Sequence, residues 1–137
     1  IGVINDGKVI VKPVPDTTSK TLIDFISDNV EKGATVVTDE YQGYQKLKVD
    51  FTHVTVKHRL GEYTNGKLHT NSIEGFWSQL KRGIYGIYHQ VSPKHLGAYC
   101  NEFAYRYNTR KATDQSRFFN TLTLAHGRLR YEDLISE

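Results

Sequence analysis

The chain has 137 residues, a hydrophobic content of 38%, an aromatic content of 12% and a formal net charge of +3. This size suits one globular domain spanning residues 1–137, and the composition excludes a disordered chain. No apolar run approaches the roughly 18 residues that cross a bilayer, so no membrane partner is expected. The single Cys100 excludes an internal disulfide and a cysteine-based zinc cluster, which favours a reducing, cytoplasmic location.

The first 33 residues have the pattern of a hairpin followed by a helix. β-branched runs over residues 2–4 and 8–14 flank Asn5-Asp6-Gly7, a tripeptide that predicts a tight turn because Asn and Gly tolerate positive φ. Polar residues 16–19 then offer helix caps. An apolar stripe between Leu22 and Val30 predicts a helix that stops before Gly33.

Residues 34–56 have the pattern of strand, short helix and strand. The nearly continuous apolar run 34–38 predicts a buried central strand that ends at Asp39. Residues 40–47 predict a short helix, and residues 51–56 alternate like a half-buried strand. The order of elements predicts an α/β fold with mixed strand pairing.

The second half of the chain is predicted to be mainly helical. Residues 57–68 are polar with two glycines, which indicates a loop. One helix opens near Asn71, and a break over residues 86–91 separates it from a long helix over residues 93–108. A last helix is predicted over residues 114–125.

The helix near Asn71 carries an apolar stripe with a carboxylate and a cation on its edge. Glu74 and Lys81 lie seven residues, or two turns, apart, an arrangement that suits a site for a metal and a phosphate. Asn71 followed three residues later by Glu74 equally suits a capping box at a helix start. The residues of the stripe are Ile73, Phe76, Trp77, Leu80 and Ile84. Phe76 and Trp77, with Tyr107 on the next long helix, are predicted to be core residues.

Positive charge is concentrated in the middle of the chain. From Lys57 to Lys111 there are nine Lys or Arg residues and three Glu, a net charge of +6, whereas the remainder carries −3. Six of the nine tyrosines lie in this basic part. Basic and aromatic residues together favour a polyanionic partner, nucleic acid first, although a solvated helical surface has the same composition.

Asp39 occupies a favourable position for chemistry because ligands bind beyond the carboxyl ends of strands in open α/β sheets. Two carboxylates brought together repel unless a divalent cation lies between them, and Mg²⁺ is held by one or two carboxylates plus phosphate oxygens. Glu74 would supply the second carboxylate, and Lys81 would hold a phosphate oxygen. Capping of the following short helix is the alternative role of Asp39.

Four segments resemble the DDE transposases of ISXO-type insertion sequences. They are TDEYQGY (38–44), HTNSIEGFWSQLKR (69–82), YHQVSPKHL (88–96) and NEFAYRYN (101–108). Their order along the chain makes the resemblance specific, and it covers nearly the whole chain from the hairpin to Arg110.

The resemblance implies a ribonuclease H-like mixed sheet flanked by helices and a Mg²⁺-dependent polynucleotidyl transferase, with Mn²⁺ as a substitute. Such an enzyme cuts transposon ends and joins them to target DNA in the bacterial nucleoid, acting as a homo-oligomer. Asp39 matches the second catalytic carboxylate of the family, Glu74 the third, and Lys81 the basic residue beyond it. Asn71 is a second candidate for the third position.

The chain departs from the family pattern at its start. The first aspartate of the family lies on the first strand of the sheet, and neither Asp6 in the hairpin turn nor Asp16 at a helix start matches it. The chain also contains no methionine. We therefore expect an N-terminally truncated fragment that lacks one of three metal ligands, binds divalent metal weakly and does not cleave DNA efficiently.

Several cations are candidates for phosphate contacts, since each neutralised phosphate steepens the salt dependence of binding. His69 either donates to a phosphate or packs. The spacing of the histidines matches no compact zinc site. The predicted DNA-binding residues are His69, Arg82, Lys94, Arg106 and Arg110.

The predicted function is thus the catalytic core of an insertion-sequence transposase. Two alternatives stay open: a catalytically incomplete DNA-binding or assembly remnant, favoured by the missing first aspartate, and a nuclease of the same ribonuclease H-like fold.

Overall fold

The computed structural model of the protein describes residues 1–56, 70–125, 127 and 130–132. The loop predicted over residues 57–68 and the candidate His69 lie outside the described residues.

The chain begins with an antiparallel hairpin of β1 (Gly2–Asn5) and β2 (Lys8–Val11). Asn5 faces Lys8, so the turn consists of Asp6 and Gly7, whose φ angles are 46° and 71°. Two positive φ angles match the right-handed twist of the flanking strands, which confirms the predicted hairpin. β2 ends earlier than predicted, at Val11, which pairs with Gly2 at the start of β1.

A second unit combines helix α1 with a pair of parallel strands. The Thr18 hydroxyl caps α1 by accepting a hydrogen bond from the Thr21 N–H. β3 pairs with β4 in parallel, with Val36 beside His53. The predicted short helix is a 3₁₀ helix. The bounds are α1 (Ser19–Asn29), β3 (Thr35–Thr38), the 3₁₀ helix (Gln42–Val49) and β4 (Thr52–Thr55).

The second half is helical, as predicted. α2 continues without interruption into a π-helical segment, where the sequence predicted a break from residue 86; the break comes at His89, which has φ 58°. α3 begins three residues after Pro93, because residues 93–95 form a turn. The bounds are α2 (Asn71–Gly83), the π-helical segment (Ile84–Tyr88), α3 (Leu96–Asn108) and α4 (Asp114–Leu124).

Two hydrophobic clusters form the interior. The first joins the hairpin to α2 and α3, and the second joins α1 to β3, the 3₁₀ helix and Phe51, which directly precedes β4. Phe76 and Tyr107 are buried and Trp77 packs against the first cluster, which confirms these three as core residues. The first consists of Val9, Val11, Phe76, Leu80, Cys100 and Tyr107, and the second of Phe25, Ile26, Val36, Leu47 and Phe51.

β1 lies between the two clusters. Ile4 packs against the first cluster, whereas Ile1 and Val3 pack against the second. Since successive side chains of a strand point to opposite faces, one strand serves both clusters. On the other side of the hairpin, the Asn108 amide donates to the Val9 carbonyl and accepts from the Val9 N–H.

The described strands are distributed over two small sheets, and a single ribonuclease H-like sheet stays a prediction. The α/β class and the mixed pairing are confirmed, but the strands form two separate two-stranded sheets, β1–β2 and β3–β4. β3, predicted to be central, has β4 as its one partner in the described part of the chain. No described strand pairs with the second edge of β1 or of β3. Within the same ranges, no helix has both the length and the apolar character needed to cross a membrane.

Candidate active site

Asp39 stands at the carboxyl end of β3 with an exposed side chain. Its Oδ1 accepts a hydrogen bond from the Tyr41 N–H at 3.1 Å, just before the 3₁₀ helix. This is a local turn contact of the kind that Asp side chains make two residues ahead. Asp39 therefore orders the turn after the strand and still presents its carboxylate at the sheet end.

Hydrogen bonds of Thr38 and His53 position the backbone at Asp39. The Thr38 hydroxyl donates to the Asp39 carbonyl at 2.8 Å and lies 2.8 Å from His53 Nε2. A hydroxyl has one proton, so His53 must donate from Nε2, and Nδ1 is the unprotonated nitrogen. Nδ1 is buried without a hydrogen-bond partner among the described residues. Desolvation, with the charge of Lys48 adding to it, lowers the pKa of His53.

Glu74 lies in the first turn of α2 and is exposed. The helix begins at Asn71 with Thr70 as its N-cap residue, so the predicted capping box with Asn71 as the cap is wrong by one position. The buried Thr70 donates its hydroxyl proton to Glu74 Oε1 at 2.6 Å. The Glu74 carboxylate is thus oriented by the residue that starts the helix.

Asp39 and Glu74 line the same cleft, which has a volume of about 520 Å³. Its walls come from β1, from β3 and from the first two turns of α2, where Ile73 and Trp77 flank Glu74. Every residue of β1 and β3 contributes to the wall, regardless of the face to which its side chain points. The cleft therefore runs along the edges of both strands, and each hydrophobic cluster supplies one of the two carboxylates.

Tyr44 is a further polar group in the cleft wall. Burial, with the charge of Asp39 as a smaller contribution, raises the pKa of the Tyr44 phenol. A phenol is a hydrogen-bond donor at neutral pH, so Tyr44 adds a donor to the cleft that Asp39 lines.

The other two predicted catalytic residues lie outside this cleft. Asn71 is exposed at the first position of α2, and Lys81 is exposed in its last turn. Seven residues of α-helix separate Glu74 from Lys81 by about 10 Å along the axis. Lys81 therefore lies away from the space between the two carboxylates.

The predicted DNA contacts fall into two groups. Arg82 in α2 and Lys94 before α3 are exposed. Arg106 forms an ion pair with Glu102 at 2.6 Å, and the Arg110 guanidinium donates to the carbonyls of Gly7 and Tyr107 at 2.8 Å while stacking on the Tyr107 ring. Arg110 thus ties the hairpin to α3, a structural contact in addition to its predicted role.

The carboxylate pair fits a magnesium ion in its chemistry, because Mg²⁺ is commonly held by one or two carboxylates and completes its shell with water and phosphate oxygens. In the ranges that the structure describes, no group of three or more His, Cys, Asp or Glu side chains is placed to hold a metal. Among the described residues that line the cleft, Asp39 and Glu74 are the two carboxylates.

Three supporting residues were missed by the sequence reasoning. Thr70 orients Glu74, and Thr38 with His53 holds the backbone of Asp39. A signal for one of them was present, since Thr38 is a polar residue that ends an apolar strand directly before the candidate carboxylate. Nothing local indicated that His53 would reach it from the neighbouring strand.

Comparisons with known proteins identify the family. No solved structure is significantly similar to the chain. An uncharacterized protein in transposable element ISH50 from Halobacterium salinarum is 31% identical over 102 residues, which are 73% of this chain and 34% of that protein. The chain thus spans about a third of the length of this relative. The sequence profile of the ISXO2-like transposase domain matches residues 4–108, and the chain therefore belongs to the ISXO2-like transposase domain family.

Proposed function

We propose that this chain is the metal-dependent catalytic part of an insertion-sequence transposase, which cuts DNA at transposon ends and joins the ends to target DNA. The observation that carries the proposal is the placement of Asp39 and Glu74 along one cleft, in a chain of a transposase family. The two residues are 35 positions apart in sequence and lie on elements that pack in different hydrophobic clusters, so local structure alone does not account for their lining one cleft.

In this proposal, Asp39 and Glu74 hold Mg²⁺, for which Mn²⁺ substitutes. The bound metal would activate the attacking water or hydroxyl and stabilise the leaving 3′ oxygen. Thr70 orients Glu74, and the Thr38–His53 pair fixes the strand end that carries Asp39. Lys81 binds a phosphate of the DNA as a compact positive charge, and Asn71 at the start of α2 is a further polar contact.

We also propose that the two sheets are parts of one ribonuclease H-like sheet, completed by a strand between β1 and β3. Support comes from the cleft, because both unpaired edges line it along their whole length. An unpaired strand edge presents backbone donors and acceptors that readily pair with another strand. A crystal form in which any strand pairs with both edges would agree with this, whereas direct pairing of β1 with β3 would contradict it.

The DNA partner is supported by charge. The region from Lys57 to Lys111 carries +6, and Arg82 and Lys94 are exposed within it. In this proposal, Arg82, Lys94, Arg106, Arg110 and His69 contact phosphates of transposon ends or target. Because two ends must be handled together, the active complex contains more than one copy of the chain.

The proposal is tested by Mn²⁺ binding to this chain. We expect crystals soaked in Mn²⁺ to show an anomalous peak coordinated by Asp39 and Glu74. In solution, Asp39→Asn and Glu74→Gln should each weaken Mn²⁺ binding at least tenfold, because a bound divalent cation loses one of two charged ligands.

Glu40→Gln is the matched control. Glu40 is the exposed neighbour of Asp39, yet it does not line the cleft. Loss of Mn²⁺ binding in the two cleft variants and its retention in Glu40→Gln would support the site. Equal Mn²⁺ affinity in all three variants, or carboxylates that coordinate separate ions on different faces, would refute it.

A second candidate function is a DNA-binding or assembly remnant without chemistry. It is favoured by the absence of a three-ligand group in the described part of the chain. This candidate predicts salt-dependent DNA binding that Asp39→Asn and Glu74→Gln leave unchanged, together with no specific Mn²⁺ site.

A further inference from the structure

Outside the cleft, the end of α2 has an unusual structure that the candidate active site does not explain. There the helix widens into the π-helical segment Ile84–Tyr88. Short π-helical segments at the end of an α-helix are rare and are frequently found at functional sites. The candidate active site does not use this segment, so its function is open.

The segment ends in a strained turn at His89. This residue has φ 58° and ψ −45°, and the Gln90 N–H donates across it to the Tyr88 carbonyl at 2.6 Å. A γ-turn with positive φ is rare and costly for a residue with a side chain. Such strain persists where the surrounding structure enforces it, and it concentrates at functional sites.

The segment is held firmly at both ends. Ile84 packs against the first hydrophobic cluster, and the preceding Gly83 lies so close to the Phe103 ring that a Cβ atom would overlap it. At the other end, the Tyr88 hydroxyl donates to the Glu102 carboxylate at 3.1–3.2 Å, and its ring packs edge-on against Tyr99 at 4.6 Å. The backbone between these anchors is therefore fixed.

Between the anchors, two large apolar side chains point into solvent. Tyr85 is 72% exposed and Ile87 is 67% exposed, with Gly86 between them. Two large exposed apolar side chains within three residues of an anchored segment form a candidate binding surface.

The sequence on both sides of this segment is basic. From residue 75 to residue 101 the chain has no Asp or Glu, whereas it has Lys81, Arg82 and Lys94. Glu102, which contacts Tyr88 from below, is neutralised by its ion pair with Arg106 at 2.6 Å. A rigid apolar and aromatic tip flanked by cations is complementary to bases whose phosphates bind the cations.

We propose that Tyr85 and Ile87 form a wedge that contacts unstacked bases of DNA, while Lys81 and Arg82 bind the adjacent phosphates. Tyr85 follows Lys81 by four residues and Arg82 by three and therefore lies on their side of the helix, where it stacks on an exposed base face; Ile87 is a second apolar contact to the same DNA. Apolar wedges of this kind unstack base steps and bend the duplex. The inference rests on the proposed DNA-binding function, and it specifies the state of the DNA that is bound.

Helix α4 offers a comparison within the same chain. Phe118 is 61% exposed and Leu122 is 53% exposed, so this face is as apolar as the wedge. Its charged residues, Asp114 and Arg117, pair with each other at 3.2 Å, which leaves no net charge for phosphates. The α4 face therefore provides a matched control for loss of exposed apolar area.

The test uses a duplex oligonucleotide with 2-aminopurine near its end, whose fluorescence rises when the base unstacks. We expect the parent chain to raise this fluorescence on binding. The double variant Y85A/I87A should bind at least fivefold more weakly, the lower end of the loss caused by removing one stacked aromatic side chain, and should abolish the fluorescence rise. Its salt dependence should be unchanged, because no charge is removed.

Two control variants accompany it. F118A/L122A should bind DNA and raise the fluorescence like the parent. K81Q/R82Q should bind more weakly and with a shallower salt dependence, because two phosphate contacts are lost. Trp77 fluorescence and thermal unfolding check that each variant is folded, which the exposure of all mutated side chains favours.

Each remaining outcome counts against the wedge. If Y85A/I87A binds like the parent, or if F118A/L122A loses the fluorescence rise instead, the wedge is wrong while the DNA-binding proposal stands. If Y85A/I87A changes the oligomeric state but not DNA binding, the tip is a protein interface. If the parent binds no DNA, the proposed DNA partner itself fails, and the wedge fails with it.

Discussion

The chain contains two halves that differ in how they position a carboxylate. The hairpin half, consisting of β1, β2, α2 and α3, presents Glu74 from a helix that is packed along its length. The parallel-strand half, consisting of α1, β3, the 3₁₀ helix and β4, presents Asp39 from the open end of a short strand. The first carboxylate is placed by helix packing and the second by strand pairing.

The comparison shows that the candidate site depends on how the halves meet. β1 belongs to the hairpin half, yet its Val3 packs against the cluster of the other half. Trp77 of α2 lies directly against Gly2, since a Cβ atom on Gly2 would approach the indole to 3.0 Å. The distance between Asp39 and Glu74 therefore depends on β1 and its contacts, and neither half determines it alone.

The largest expected effect on stability comes from truncating one large buried side chain in either hydrophobic cluster. Phe76 is 0% exposed and Leu47 is 1% exposed, one in each half. We expect Phe76→Ala to lower the free energy of unfolding by about 3–5 kcal/mol and Leu47→Ala by about 2–5 kcal/mol, because each leaves a cavity. Urea unfolding followed by Trp77 fluorescence and by far-UV circular dichroism measures both.

The same experiment tests whether the halves unfold together. Coincident transitions by both probes in both variants indicate one cooperative unit. If Leu47→Ala left the Trp77 transition in place while the dichroism transition moved, the halves would be independent, and β1 would not couple them.

A smaller effect is expected at the contact between α2 and α3. A Cβ atom on Gly83 would overlap the Phe103 ring, so we expect Gly83→Ala to destabilise the protein by about 1–3 kcal/mol through overpacking. Gly75→Ala in the same helix is the control, because a Cβ atom there meets nothing within 4 Å. It should raise stability by roughly 0.5–1 kcal/mol. Equal thermal stability of the two variants would contradict the close packing of the helices.

The smallest expected effect is a pH dependence in the parallel-strand half. Desolvation lowers the pKa of His53 below its ordinary value of 6.5, so the unfolded chain binds a proton more readily than the folded protein. The contribution of His53 to stability is therefore fully present above pH 6.5 and is lost as the pH falls below that value through the folded pKa.

His53→Gln tests this assignment, since the Gln amide can still donate to Thr38 but does not titrate. Between neutral and mildly acidic pH, we expect the free energy of unfolding to decline less in this variant than in the parent protein. His95→Gln, a change at an exposed histidine, is the control. An unchanged pH slope in His53→Gln would mean that the decline arises elsewhere.

Residue types and their spacing along the chain determined much of the secondary structure of this protein. The Asp6-Gly7 turn, helix α1 and the stripe from Ile73 to Ile84 follow from residue types and spacing, because turn geometry and hydrophobic periodicity act over a few residues. The family motifs, and with them Asp39 and Glu74 as candidates, were likewise visible in the sequence. Their catalytic roles stay predictions.

The tertiary structure decided what depends on distant contacts. It placed the described strands in two sheets, because pairing partners for β1 and β3 are not a property of their own sequences. It brought His53 to Thr38 and Arg110 to Gly7, contacts across 15 and 103 residues. It also produced the π-helical segment and its strained γ-turn, which arise where α2 is held against α3. At these contacts, packing between elements overrides the local preference of the sequence. The candidate site and the proposed wedge lie at such contacts.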